Sequence, residues 1–223
     1  MQSAPTRNAL SNTIIEQTAL LVFTKTPIPG AVKTRLLSVM DAQQAAAIHT
    51  ELLRFTLEVA RRSAASAVEL WCTPTRQHPL LQDLARRFAV TLQTQAGADL
   101  GARICAAMTQ TLASYRHVLL VGSDCIDLSP EDINLALEQL AAGSDVALGP
   151  AFDGGYYLIG LSRPQRRLFE GINWGTDRVL QQTRKRVAQL GLSLFELPQR
   201  RDLDRPEDLR YFRPDAPAEG GRL

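Results

Sequence analysis

The most constraining feature of the sequence is an uninterrupted apolar run, Val118-Leu119-Leu120-Val121, that ends at Gly122-Ser123-Asp124. Such a run is typical of a strand that is buried on both faces, as in parallel sheets covered by helices. Asp124 and Asp127 follow its carboxyl end, where open α/β sheets bind ligands. Carboxylates there suit a hard cation shared with phosphate oxygens, but aspartates also hydrogen-bond loop amides. These residues alone leave both interpretations open.

Apolar strands alternate with amphipathic helices along the chain. This alternation predicts an α/β fold, a single three-layer α/β/α domain around a mostly parallel mixed sheet. Asp153-Gly154-Gly155 is a hairpin signal and predicts one antiparallel element at the sheet edge. The predicted strands are 19–23, 68–72, 90–93, 118–121, 145–150, 156–161 and 192–197, and the predicted helices are 41–63, 80–88, 100–112, 130–140 and 178–190.

Helix starts are predicted from capping residues. Ser129, followed by proline and then by an acid three residues after the cap, predicts the start of the helix at 130. Asp99 and Thr176 are the expected N-caps of the helices that follow them. Asp204 with Glu207 predicts a capping box around a last short helix.

Length and composition restrict the class of protein. The chain has 223 residues, is 45% hydrophobic and carries a net charge of +2, which gives no reason to expect a nucleic-acid or membrane-surface partner. Three scattered cysteines suit a reducing cytoplasm, and no apolar run approaches the ~20 residues that span a bilayer. We expect a cytoplasmic protein with a flexible N-terminal extension (1–17), a folded domain (18–213) and a disordered tail (214–223).

A basic loop follows the first strand. It carries Lys25, Lys33 and Arg35 within eleven positions, in a frame of two prolines and Gly30. Such a loop after a first strand often holds phosphates, although the Walker spacing is absent. A solvated basic turn is the alternative, but a merely solvated turn needs no rigid prolines. We expect exposed cations that contact nucleotide phosphates and add little stability.

Trp174 lies just before the predicted cap at Thr176. Its ring could form the wall of a ligand site, but a large apolar ring beside a cap most often packs against the helix start. We favour packing.

Five motifs in order resemble a bacterial family of glycosyltransferases with the nucleotide-diphospho-sugar transferase fold (glycosyltransferase A type), some of them connected with arsenosugar biosynthesis. The resemblance covers residues 19 to 212. The chain departs from the pattern at Ile126, usually proline, and at Arg205, often threonine. The wider superfamily includes 2-phospho-lactate and molybdenum-cofactor guanylyltransferases, which are similar to this chain in the basic first loop and in the final Asp-x-Asp-x-Pro-Glu-Asp segment. The motifs are 23–36, 122–125, 149–158, 174–176 and 202–209.

The resemblance implies Mg²⁺ or Mn²⁺ held between aspartates and the phosphates of a nucleotide. Asp124 would be the principal metal ligand and Asp204 the second, while Lys33 and Arg35 would stabilise phosphate charge. Glycosyl transfer from a nucleotide-sugar to a small-molecule acceptor is the leading hypothesis, with Asp153 as the candidate base or acid near the acceptor. Nucleotidyl transfer from a nucleoside triphosphate and a non-catalytic nucleotide-binding module are the alternatives. The candidate catalytic residues are Asp124, Asp153 and Lys33, and the candidate nucleotide contacts are Lys25, Gly30, Lys33, Thr34, Arg35, Ser123, Gly154 and Gly155.

Overall fold

Seven strands form one sheet in the computed structural model, which describes residues 17–212. The predicted tail (214–223) and all but one residue of the predicted extension (1–17) lie outside the described residues. The strands are β1 (Thr18–Lys25), β2 (Ala67–Thr73), β3 (Thr91–Thr94), β4 (His117–Gly122), β5 (Val146–Pro150), β6 (Tyr156–Leu161) and β7 (Leu194–Glu196), in the spatial order β3-β2-β1-β4-β6-β5-β7. The α-helices are α1 (Ala42–Arg62), α2 (Pro79–Phe88), α3 (Leu100–Thr111), α4 (Pro130–Ala141) and α5 (Val179–Gln189), and 3₁₀ helices cover Thr34–Ser38, Arg166–Phe169 and Pro206–Tyr211.

The sheet is parallel except at β6, which runs antiparallel to β4 and β5. The mostly parallel mixed sheet is therefore confirmed, but the prediction of an antiparallel element at the sheet edge is wrong. The crossover from β4 through α4 to β5 leaves a space one strand wide, and the hairpin after β5 brings β6 back into that space. A central position also explains why residues 157–161 are all buried.

Alternate residues of β1 enter two apolar layers, one on each face of the sheet. Leu20 and Val22 pack with α1, α2 and α4, whereas Ala19 and Leu21 pack with α3 and α5. Because both faces are covered, the sheet is the middle of three layers. The predicted α/β/α architecture is confirmed.

Two predicted helix caps are confirmed and two are wrong. The Asp99 carboxylate accepts a hydrogen bond from Ala102 N, and Ser129 forms a capping box with Asp132. α5 begins at Val179 with Arg178 as its N-cap residue, so Thr176 lies too early to cap it. In the last 3₁₀ helix the carboxylate of Asp208, rather than Glu207, accepts from the backbone N–H groups of residues 204 and 205.

The strand order creates a crevice between β1 and β4. From β1 the chain runs outward to β2 and β3, and it then returns to β4 on the other side of β1. Ligands of open α/β sheets bind outside the carboxyl ends of strands at such a reversal of strand order. Across residues 17–212, every helix is too short or too polar to cross a membrane.

Candidate active site

The loop after β1 is shaped by its backbone. Pro29 and Gly30 form a tight turn in which Ala31 N donates to Ile28 O at 2.9 Å, and Gly30 takes the positive φ of 81° that this turn requires. Lys33 then precedes the first 3₁₀ helix with a φ of 48° and a ψ of 38°. The left-handed region costs a non-glycine residue about 1–2 kcal/mol, so other contacts must hold Lys33 there.

Those contacts come from the Lys33 ammonium. Its Nζ donates to Asp124 Oδ1 and to the backbone oxygen of Leu203, both at 2.5 Å. The Lys33 side chain is 2% exposed, so the expectation of an exposed loop cation is wrong at this position. Lys33 joins the loop after β1 to the loop after β4 and to the segment before the last 3₁₀ helix.

Asp124 lies at the centre of this junction. Its side chain is 44% exposed, and its backbone oxygen accepts from Leu203 N at 2.9 Å. Partial burial alone would raise the pKa of Asp124, but the Lys33 ammonium, with His49 and Lys25, holds that pKa below its usual range. Asp124 is therefore an anion that pairs with Lys33 and keeps part of its carboxylate open to solvent.

His49 on α1 supports the junction, and sequence reasoning missed it. The ring is buried, with Nε2 at 2.9 Å from Lys25 O and 3.2 Å from Thr24 Oγ1, and Nδ1 at 3.9 Å from Asp124 Oδ1. Because a backbone oxygen only accepts, Nε2 carries the proton. Burial lowers the pKa of His49, although Asp124 opposes this shift. The sequence does contain a signal for its burial: His49 lies four residues before Leu53, which places both residues on the buried face of α1.

Ser123 is also turned inward. It is 3% exposed, and its hydroxyl donates to Thr24 Oγ1 at 3.1 Å. Lys25, by contrast, is exposed at the end of β1, as are Gly30 and Thr34 in the following loop. The Ser123 hydroxyl, a predicted nucleotide contact, is thus already used in a hydrogen bond within the protein.

The last acidic segment, residues 202–208, supplies two different carboxylates. Asp204 pairs with Arg35, so it is not an unpaired acid. Asp202 is the unpaired one: its Oδ1 is shielded from solvent and has no hydrogen-bond partner in the described part of the chain. Burial raises the pKa of Asp202 well above its usual range, and the nearby charges of Asp124, Asp153 and Asp204 raise it further.

This arrangement changes the expected metal ligands. The sequence singled out Asp124 and Asp204, and in the structure Lys33 pairs with the first and Arg35 with the second. Asp202, two residues from Asp204, forms no ion pair within residues 17–212, and its Oδ1 has no hydrogen-bond partner there. Within residues 17–212, no group of three or more His, Cys, Asp or Glu side chains is already gathered as a metal site.

The β5–β6 hairpin closes the other side of the site. Asp153 is exposed, and its Oδ1 accepts from Gly155 N at 2.8 Å, which stabilises the turn. Gly154 has a φ of 88°, and a Cβ there would lie 2.2 Å from the backbone oxygen of Asp177. Close packing against the loop before α5 therefore explains Gly154, whereas Asp153 and Gly155 face the cleft.

A cleft of about 780 Å³ lies between the hairpin, the start of α3 and the last acidic segment. Trp174 forms part of its wall. Its ring is half-buried, packs against Gly101 and meets Tyr156 edge-on with a centroid distance of 6.3 Å. These packing partners are the start of α3 and Tyr156, whereas packing against the start of α5 was predicted, and the same ring faces the cleft. Four predicted site residues line this cleft: Arg35, Asp153, Gly155 and Asp204.

Known structures share this fold. A provisionally named nucleotide-diphospho-sugar transferase from Desulfovibrio desulfuricans is 34% identical, with a TM-score of 0.77 over 85% of this chain and 83% of that chain. Two distant structures show the fold alone. They are a cytidylyltransferase from Leptospira borgpetersenii (15% identity, TM-score 0.57, 88% of this chain and 87% of that chain) and glucosyl-3-phosphoglycerate synthase from Mycobacterium tuberculosis in complex with Mn²⁺, UDP and glucosyl-3-phosphoglycerate (12%, 0.54, 95% and 81%).

Sequence comparison gives the family. No protein with a curated description matches the chain. Residues 56–176 match the family DUF2064, described as uncharacterized proteins conserved in bacteria. This match covers more than half of the chain and agrees with the 34% identity to the Desulfovibrio protein. The chain therefore belongs to the DUF2064 family and has the nucleotide-diphospho-sugar transferase fold.

Proposed function

We propose that this protein is a metal-dependent transferase that moves a glycosyl group from a nucleotide-sugar to a small-molecule acceptor. One observation carries the proposal: within residues 17–212, Asp202 has a shielded oxygen without a hydrogen-bond partner, and the negative charges of Asp124, Asp153 and Asp204 act on it more than the positive charge of Lys33 does. Carboxylates held together without enough positive charge favour a bound cation. They lie at the crevice where this type of sheet binds ligands.

The residues present fit Mg²⁺ or Mn²⁺. Both ions take oxygen ligands, and Mg²⁺ keeps several waters, so two protein carboxylates together with substrate phosphates suffice. Asp124 and Asp202 are the proposed ligands, with Asp204 beside them. When bound, the metal would neutralise charge on the phosphates of the leaving nucleotide.

The protein's own cations would hold those phosphates. Lys25 is exposed at the end of β1, and Arg35 lines the cleft. Lys33 keeps Asp124 ionised and fixed in place. Asp153 would accept the proton of the attacking acceptor hydroxyl, since it is exposed in the cleft and its Oδ2 is not used in the turn.

Nucleotidyl transfer is the second candidate. The cytidylyltransferase-like fold and the similarity of the first loop to guanylyltransferases favour it. A triphosphate needs several cationic side chains to bind it, and the first loop carries such side chains. The more similar Desulfovibrio protein is named for nucleotide-sugar transfer, and this name favours the first candidate. A role in arsenosugar synthesis belongs to the same proposal. The products decide: glycosyl transfer releases a nucleoside diphosphate, whereas nucleotidyl transfer releases pyrophosphate.

The proposal is tested by titrating nucleoside triphosphates and nucleotide-sugars into the full chain with and without Mn²⁺, using calorimetry for binding and ³¹P NMR for products. Asp202→Asn should weaken Mn²⁺-dependent nucleotide binding by roughly tenfold or more, as loss of a charged metal ligand implies. Its free energy of unfolding should not fall, because the amide replaces a buried carboxyl that forms no ion pair within residues 17–212.

Asp83→Asn is the matched control, since Asp83 is exposed on α2 and does not line the cleft. It should bind nucleotide like the parent. The metal site is refuted if Asp202→Asn keeps the parent's Mn²⁺ dependence. Clear nucleotide binding without any product would favour the non-catalytic module.

A further inference from the structure

An arginine at the cleft is held by two aromatic rings. The guanidinium carbon of Arg201 lies over the ring of Tyr211 at 4.0 Å from its centroid and over the ring of Phe152 at 4.6 Å. Both rings are unusually open to solvent, with Phe152 56% and Tyr211 41% exposed. Ring contacts of this kind fix the guanidinium in position without using any of its five N–H groups.

Within residues 17–212, the guanidinium group of Arg201 has no acidic partner. Across residues 17–212, its side chain forms neither a hydrogen bond nor an ion pair, although Glu207 and Asp177 line the same cleft. Arg205 and Arg210 also line the cleft and, over the same range, form no ion pair. This part of the cleft thus contains three arginines that form no direct ion pair within residues 17–212.

The backbone of Arg201 is anchored firmly beside the proposed reaction centre. Its N–H donates to Asp127 Oδ1 and its carbonyl accepts from Ile126 N, both at 2.9 Å, so it is tied to the loop after β4. Asp202 is the next residue, and Asp153 follows Phe152 directly. An arginine fixed in this way is preorganised and loses little side-chain entropy on binding a ligand.

We propose that Arg201 binds an anionic group of the acceptor, either a phosphate monoester or a carboxylate. A planar guanidinium with unused N–H groups matches two oxygens of such an anion. The inference rests on the proposed function, because it places the acceptor hydroxyl at Asp153 and the acceptor's acidic group at Arg201. Arg205 and Arg210 add positive charge at the cleft mouth.

The position of Arg201 favours the acceptor over the donor nucleotide. The donor phosphates have their own cations in the loop after β1, where Lys25 is exposed. Arg201 instead lies against the hairpin residue Phe152, beside the proposed base Asp153. An anion bound there would be held on the hairpin side of the cleft.

The test uses three related three-carbon probes: glycerol 3-phosphate, which carries a phosphate monoester, glycerate, which carries a carboxylate, and uncharged glycerol. Binding to the full chain is measured by ligand-observed NMR, and nucleotide affinity is measured separately by calorimetry. Glycerol 3-phosphate or glycerate should bind more tightly than glycerol, and Arg201→Gln should weaken that binding roughly tenfold or more, as expected for losing a charge-assisted hydrogen bond. Arg201→Lys should restore it only in part, because lysine lacks the planar fork.

Arg61→Gln is the control, because Arg61 is exposed at the end of α1, outside the cleft. It should bind all probes like the parent. The identity of the tighter probe tells whether the group is a phosphate or a carboxylate. Equal binding of all three probes would overturn the proposal, as would an Arg201→Gln protein that binds like Arg61→Gln. A loss of nucleotide affinity in Arg201→Gln as large as its loss of probe affinity would assign the arginine to the donor instead.

The two proposals can fail separately. If the parent binds no nucleotide but Arg201 still selects anionic probes, the transferase proposal fails and the anion site stands. If nucleotide binds and reacts but the anionic probes show no dependence on Arg201, the anion site fails and the transferase proposal stands.

Discussion

At the scale of single residues, Lys33 shows how a strained backbone is maintained. Its left-handed conformation is unfavourable, yet its ammonium makes two hydrogen bonds in a buried position. Such strain persists when surrounding contacts determine it, and it concentrates at functional sites. Lys33 therefore contributes both to the fold and to the charge of Asp124.

We expect Lys33→Met to lower the free energy of unfolding by about 1–3 kcal/mol, because it leaves Asp124 and the Leu203 carbonyl without their hydrogen-bond donor. This range already allows for the solvent that screens the exposed part of Asp124. Urea unfolding measures the change. Lys25→Met is the control, and this exposed lysine should change stability by less than about 0.5 kcal/mol. Equal stability of the two variants would show that the buried contacts of Lys33 contribute nothing.

The residue types of the site were predictable, but their pairing was not. A basic loop and aspartates at strand ends follow from the sequence pattern. Lys33, however, meets Asp124 and Leu203 across 91 and 170 positions of the chain. No local pattern shows which of three cations turns inward, nor that, within residues 17–212, Asp204 forms an ion pair and Asp202 does not. Long-range packing decides both.

At the scale of elements, the start of α3 and the loop carrying Trp174 depend on each other. A Cβ at Gly101 would lie 2.3 Å from Trp174 Nε1, so the missing side chain allows the ring to lie on the helix. The ring is in turn one wall of the cleft. Packing between two elements thus determines the shape of the proposed substrate site.

Gly101→Ala should therefore destabilise the protein by about 1–3 kcal/mol through overpacking, although alanine alone favours a helix by up to about 1 kcal/mol. In a Trp71→Phe background, where Trp174 is the one remaining tryptophan, its emission should shift. In a Trp174→Leu background the same substitution should be neutral or stabilising. If the two changes are simply additive in unfolding experiments, the ring does not rest on Gly101.

At the scale of the whole molecule, the alternation of strands and helices was enough to predict the three layers of the fold. The position of β6 inside the sheet was not predicted, because a hairpin signal fixes which strands pair but not what lies beyond them. Its unbroken buried run, residues 157–161, did carry the signal of a central strand. Two titratable residues lie at opposite ends of β4: Asp124 follows its carboxyl end, and His117 lies at its amino end.

Stability should fall as the pH drops below about 6.5, and His117 should cause part of that fall. Burial, with a smaller effect of Arg116, lowers the pKa of His117 from 6.5. The ring is 3% exposed, with Nδ1 at 2.9 Å from Ser162 Oγ, and its Nε2 has no partner within residues 17–212. The unfolded chain therefore binds a proton at a higher pH than the folded protein does. The stabilising contribution of neutral His117 is complete above pH 6.5 and is lost as the pH falls towards the lowered pKa.

His117→Asn removes this titration and retains a polar atom near Ser162. Urea unfolding gives the free energy of unfolding of both proteins between pH 7.5 and pH 5.5. As the pH falls over this range, the parent should lose more of this free energy than the variant does. The variant should keep a residual slope, because burial also lowers the pKa of His49. Ser162→Ala is the control; it leaves the buried imidazole in place, and its slope should not flatten. Parallel slopes for the parent and His117→Asn would mean that the folded protein accepts a proton on His117 as readily as the unfolded chain does.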